Sequence, residues 1–149
     1  MAANTINLKG RPQRREALAA EAITPGHLIS YNNAGKFIKH AVAAGNAAPL
    51  FAAENEVFGD EISVAYANND NVLAWMCRAG DEVYALVAAA AAAIVVGDYL
   101  ESAGDGTLRK VATAAATSQA MRESIRFQAL EAVDNSGGGT AVRLAVLII

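Results

Sequence analysis

From about residue 23 onward the hydrophobic positions fall in short runs, HLISY, KFIKHAV, APLFAA, NVLAWMC, EVYALV, YLES, TLRKVA, IRFQALEAV and TAVRLAVLII, each bounded by Gly, Asp, Asn or Pro. That spacing predicts many short strands closing into a small barrel or sandwich. The clearest strand is the last, Thr140 to Ile149, β-branched and apolar almost throughout, and Asp134 to Gly139 before it reads as a turn. Two stretches stay open. Gly59 to Asn69 fits a short helix or a surface excursion. VYALVAAAAAAIVV fits a helix, because alanine is the best helix former, or two strand ends joined by small residues at Ala88 to Ala93, because both flanks are β-branched.

Residues 1 to 22 differ in kind. They are polar, with Lys9, Arg11, Arg14 and Arg15 bunched around Pro12, and they read as an extended arm preceding a body over 23–149. Ile6 and Leu8 alternate with polar residues just ahead of the cations, a pattern able to add an edge strand to a partner.

The most informative feature is an internal repeat. Pro25 to Ala44 lies over Val96 to Ala115 without a gap: Gly26 meets Gly97, Gly35 meets Gly106, and Lys39 meets Lys110. Ala43 and Ala44 likewise meet Ala114 and Ala115. Leu28, Ile29 and Phe37 map onto Tyr99, Leu100 and Leu108, which predicts strand, glycine turn, strand in both copies. Ala79-Gly80-Asp81-Glu82-Val83 repeats the opening turn alone. A similar phrase follows each copy, LFAAENEV at 50–57 and RFQALEAV at 126–133. Two related halves closing one barrel-like core is the expected result.

Composition adjusts this picture in two ways. Thirty-five of the 149 residues are alanine, so the core must come from Val, Ile, Leu and a few aromatics. Twelve Lys and Arg against fifteen Asp and Glu give a net charge of -3, which disfavours a nucleic-acid partner beyond a few phosphate contacts from the arm. Single Cys77 excludes an intrachain disulfide, and His27 and His40 have no zinc spacing. No apolar run approaches the roughly 20 residues of a membrane helix, so a protein made in a reducing cytoplasm without a membrane partner is expected.

Catalytic motifs do not emerge. NSGGGT at 135–140 lacks the lysine of a phosphate cradle, and Cys77 in LAWMC reads as a buried thiol more readily than as a nucleophile with His27 or His40. The turn residues Asp60, Asp81, Asp98 and Asp105 read as caps of backbone amides. Lys36, Lys39 and Lys110 lack the flanks of a carrier-domain lysine. The expectation is no enzyme, no cofactor and no metal.

The run LKGRPQRREALAAEAITPGHLI, followed by the GKF hairpin, LFAAENE, RAGDEVYALV and VGDYLESAGDGTLRKV, resembles the tailed-phage capsid cement or head decoration proteins over about residues 8 to 147. The resemblance implies a mainly β fold, a small β-barrel or β-tulip-like domain with two similar hairpin units and an extended N-terminal arm. It implies a virion protein on the capsid exterior that binds the major capsid protein of the expanded head and neighbouring copies of itself, often as trimers. On that analogy Ile6, Leu8, Lys9, Arg11, Pro12, Arg14 and Arg15 are candidate contacts to the shell or a neighbouring subunit. The alternatives are another virion part, such as a head-fibre base or tail protein, and a β-barrel carrier or ligand-binding module.

Overall fold

The repeated hairpin forms twice, in the same register. Strands β3 (Ile29–Tyr31) and β4 (Phe37–Lys39) pair Ile29 with Lys39, Ser30 with Ile38 and Tyr31 with Phe37. Strands β8 (Tyr99–Ser102) and β9 (Leu108–Lys110) pair Leu100 with Lys110, Glu101 with Arg109 and Ser102 with Leu108. These are the pairs that the gapless alignment equates. Gly35 and Gly106 both sit at positive φ, 74° and 82°, where a side chain would be strained.

The computed structural model describes residues 3–112 and 125–149, and these are all β. Ala114 and Ala115 of the second copy lie outside the described residues. The remaining strands are β1 (Asn7–Lys9), β2 (Gln13–Leu18), β5 (Leu50–Ala52), β6 (Asn71–Met76), β7 (Glu82–Val87), β10 (Phe127–Ala129) and β11 (Val142–Ile148). Five of the eleven close a barrel in the order β7-β11-β10-β8-β9, sealed by a parallel pairing of Val87 with Leu108.

The first half repeats this ring. Sheet β2-β6-β5 and hairpin β3-β4 are joined by bridges, Leu28 to Phe51 and, in parallel, Ala19 to Phe37. The closing bonds match one for one: Ala20 N–H donates to Phe37 O and Ala88 N–H to Leu108 O, both at 2.9 Å. Gly26 N–H donates to Ala52 O and Gly97 N–H to Ala129 O, both at 2.8 Å. The bridge between Ile23 and Tyr66 has its counterpart between Ile94 and Val133. The fold class is therefore the expected β-barrel, with one correction: there are two ring cores instead of one, the second also taking Ile6, Leu28, Phe51 and Cys77 from the first half. The phrases at 50–57 and 126–133 are equivalent with a slip of one residue, since Leu50, and not Phe51, stands where Phe127 stands.

The two cores are equivalent position by position. Ala19, Ile29, Phe37, Leu50 and Val72 line the first; Val87, Leu100, Leu108, Phe127 and Leu144 line the second. A larger side chain at one position of a ring goes with a smaller one beside it, as Phe37 with Ala19 in the first ring and Leu108 with Val87 in the second, so close packing is met with different residues.

One turn is used four times. In Thr24–His27, Ala67–Asp70, Arg78–Asp81 and Val95–Asp98 the third residue has positive φ, and the fourth side chain accepts from the amide of the first at 2.8–3.0 Å. Gly-His, Asn-Asp, Gly-Asp and Gly-Asp all satisfy it, which explains the third copy of the opening turn at Gly80 and Asp81.

The alanine run resolves as strand ends. Strand β7 stops at Val87, a turn follows with Ala90 at φ 55°, and Ile94 re-enters a bridge. Six alanines are too short to nucleate a helix against the cross-strand pairing of their flanks. Gly59 to Asn69 is a surface excursion of turns, anchored by Tyr66. The loop at 134–139 is tied down by buried Asn135, whose Nδ2 donates to Ala88 O and Thr140 O, both at 2.9 Å.

Residues 3–22 are not a free arm. Strand β1 pairs with β7 and β2 pairs with β6 along its whole length, so the boundary placed at residue 22 cuts through the first ring.

Candidate interaction surface

The candidate contacts divide by burial. Ile6 is wholly buried in the second core; its amide donates to Glu54 Oε2 at 3.0 Å and its carbonyl accepts from Tyr84 at 2.8 Å. Leu8 is half-buried beside it. The edge strand that this pair predicts therefore forms on the chain's own β7, and Ile6 is corrected from a contact to a core residue, because burying an isoleucine outweighs offering it to a partner. Lys9 pairs with Glu82 at 3.5 Å. Arg11 is exposed and Pro12 half-buried in the link to β2.

Arg14 and Arg15 stand exposed on β2. The Arg14 guanidinium lies 5.6 Å from the Trp75 ring centre and 3.9 Å from both Glu16 and Glu56. Arg15, the next residue of the strand, is on the opposite face of β2. The Glu56 contact brings Arg14 beside the β5–β6 connection, a feature that the sequence reading did not single out. There Val57 is 74% and Phe58 80% exposed, and a groove of about 520 Å³ runs from Val57 and Phe58 to Leu18 and Leu73. The signal for it in the sequence is a Val-Phe pair between the polar stretches Glu54–Glu56 and Gly59–Glu61.

The candidate chemical groups are held in structural bonds. His27 Nδ1 accepts from Thr24 N–H at 3.0 Å, and burial with nearby Lys39 pushes the imidazole down to about 4. His40 is buried between Ser102 Oγ at 2.7 Å and Asn46 O at 3.0 Å, joining the two halves. Cys77 is buried and pushed up to about 12, with Trp75 O as its hydrogen-bond acceptor, so the structure does not bring it together with either histidine. Asp98 is held below its usual value by its bond to Lys110 and by the Val95 amide, and Asp134 by Ser136. Lys36 donates to Asn69 Oδ1, Lys39 pairs with Glu21 and Lys110 with Asp98.

Among the described residues no cluster of His, Cys, Asp and Glu has the makings of a metal site, and no helix is long and apolar enough to cross a membrane. A second groove of about 570 Å³, lined by Pro49, Arg126 and Ile149, lies at the C-terminal strand. In comparisons with known proteins, no family model and no curated protein matches the chain.

Proposed function

We propose that the chain is a structural, non-catalytic protein of a tailed-phage virion, a capsid cement or decoration protein. It seats on the outer surface of the expanded head, with the major capsid protein as its partner and further copies of itself alongside. It is made in the host cytoplasm and takes no cofactor. The order of glycine-turn phrases supports the reading. The observation that carries it is the exposed Val57–Phe58 loop, joined to β2 by the Glu56–Arg14 pair. Large apolar side chains that exposed, in a groove rimmed by the polar residues Asn55, Asp60 and Asp70, fit the anchor-and-rim anatomy of a protein-binding surface. A shell presents such a surface many times over, so modest contacts per copy add up to stability by mass action.

The test is co-sedimentation with expanded capsids that lack the protein. A chain cut at Thr24 loses β1, β2, Ile6 and Ala19, so point variants replace truncation. Wild type is expected to saturate at about one copy per capsid subunit, with Phe58→Asp and Arg14→Glu/Arg15→Glu each weakening binding by roughly 10- to 100-fold. No sedimentation of wild type overturns the reading. Saturation at far fewer copies moves it to a head-fibre base or tail protein.

A further inference from the structure

The two rings meet through unlike faces. The first ring presents the turn and strand around Pro25, Gly26 and Leu28, and the second presents the outer side of β7 with the tip of its hairpin. Leu86 N–H donates to Gly26 O at 3.0 Å, Leu28 N–H donates to Gly106 O at 2.7 Å, and Arg143 donates to Pro25 O at 2.9 Å. Since the rings are equivalent, each face has a counterpart, and no other strand among the described residues covers it. Val96, Gly97 and Tyr99 of the second ring stand where Pro25, Gly26 and Leu28 stand in the first. Leu18, Tyr31 and Gly35 of the first ring stand where Leu86, Ser102 and Gly106 stand in the second.

Both counterparts are apolar and open. Val96 is 66% and Tyr99 51% exposed on one; Leu18 is 45% and Tyr31 50% exposed on the other. A Cβ added at Gly35 would meet nothing within 4 Å, whereas at Gly106, its covered equivalent, it would meet Lys39 and His27. The outer edge of β2 up to Leu18 has no strand partner among the described residues, while the same edge of β7 is covered by β1 and Gly26.

We infer that a second copy of this chain covers these faces head to tail: the Val96–Tyr99 face of one copy docks on the Leu18–Tyr31 face of the next, reproducing the junction between the rings. Leu18 N–H then donates to Gly97 O across copies as Leu86 does to Gly26, taking the place of Gln128 Nε2, which makes an exposed bond to that carbonyl at 3.1 Å, and Tyr99 N–H donates to Gly35 O as Leu28 does to Gly106. The contact joins two different surfaces, so it propagates. It closes into a ring if the rotation between successive rings divides the circle, and otherwise forms an open chain. Leu18 also lines the Phe58 groove, so the contact is read on the protein alone, where nothing is bound through Phe58.

Two single-face variants test it by analytical ultracentrifugation. Wild type is expected to run as an oligomer. Leu18→Asp and Tyr99→Asp, each blocking one face, are expected to weaken association by ~10-fold or more and to run as monomers. Their equimolar mixture retains one intact pair of faces and is expected to form a dimer and nothing larger. A monomeric wild type at millimolar concentration, a variant that keeps the wild-type mass, or a mixture that stays monomeric each overturns the inference. Circular dichroism checks the fold of each variant. Should either acid unfold the chain, a mixture of Leu18→Cys and Val96→Cys proteins replaces it, expected to give a disulfide-linked heterodimer under mild oxidation. Failure of that link overturns the proposal in the same way.

Discussion

Replacing His27 with Asn isolates one titration that the fold suppresses. The ring lies half-buried at the junction of the two halves, with Lys39 and Arg143 disfavouring its charge and Asp105 and Glu21 partly offsetting them. Burial and Lys39 push it to about 4 from an ordinary 6.5. The unfolded chain therefore binds a proton in that window that the folded chain refuses, so the histidine's contribution is intact above pH 6.5 and drains away as pH falls toward 4. At ~1.4 kcal/mol per pH unit the gap amounts to ~3 kcal/mol, reduced to ~2 kcal/mol for a partly hydrated ring. Asn preserves an acceptor for the Thr24 amide, the role that Asp98 fills for Val95 in the equivalent turn. Urea midpoints at several pH values between 7.5 and 4 measure the effect. Wild type should lose ~2 kcal/mol more than His27→Asn over that range. The lowered carboxylates Asp98, Asp105 and Asp134 lose their contribution only below their usual 3.8, outside the window. Parallel pH profiles for the two proteins, or an imidazole that titrates near 6.5 by NMR in the folded state, would refute the reasoning.

Three further substitutions follow from packing. Ile6→Ala should cost 2–5 kcal/mol in a denaturant titration, as a buried core residue does and a residue of a loose arm does not. Gly35→Ala and Gly106→Ala share the strain of positive φ, ~1–2 kcal/mol, but only at Gly106 would the new Cβ press on Lys39 Cβ and Cγ, at 2.9 Å. The second variant should therefore melt at least several degrees below the first by calorimetry, and equal melting temperatures would contradict the close approach of the two hairpins.

What could be read in advance depended on where the backbone constrained the residue type. The hairpins were legible, register included, because Gly26, Gly35, Gly97 and Gly106 mark positive-φ positions at equal spacing. The equivalence of the other strands was not. QRREAL and EVYALV occupy the same place in their rings, yet the first exposes most of its side chains and the second buries most of its own. Backbone pairing set their position, and hydrophobic pattern recorded only how each was covered. The same mismatch made residues 1 to 22 read as an arm, since a charged strand on an open edge has the composition of a tail. Phe58 does not stand out in the sequence because a Val-Phe pair between short polar stretches has no periodicity. Ala88 to Ala93 could not be settled because alanine's helix preference and the β preference of its flanks point in opposite directions.

Two rings with the same hydrogen-bond plan, built one after the other in a single chain, carry a hazard for folding. A strand of one half has a ready-made berth in the other, and tandem repeats that misassemble in this way become trapped or aggregate. Divergence of the side chains closes that route. Were QRREAL to take the place of EVYALV, Arg15 would fall where Val83 is wholly buried, and an unpaired guanidinium in a core is expelled. Were the two halves exchanged at β4 and β9, Phe37 would overfill a ring already containing Val87 and Val146. The unlikeness that hides the duplication in the sequence is thus also what lets each half recognise its own strands as they leave the ribosome.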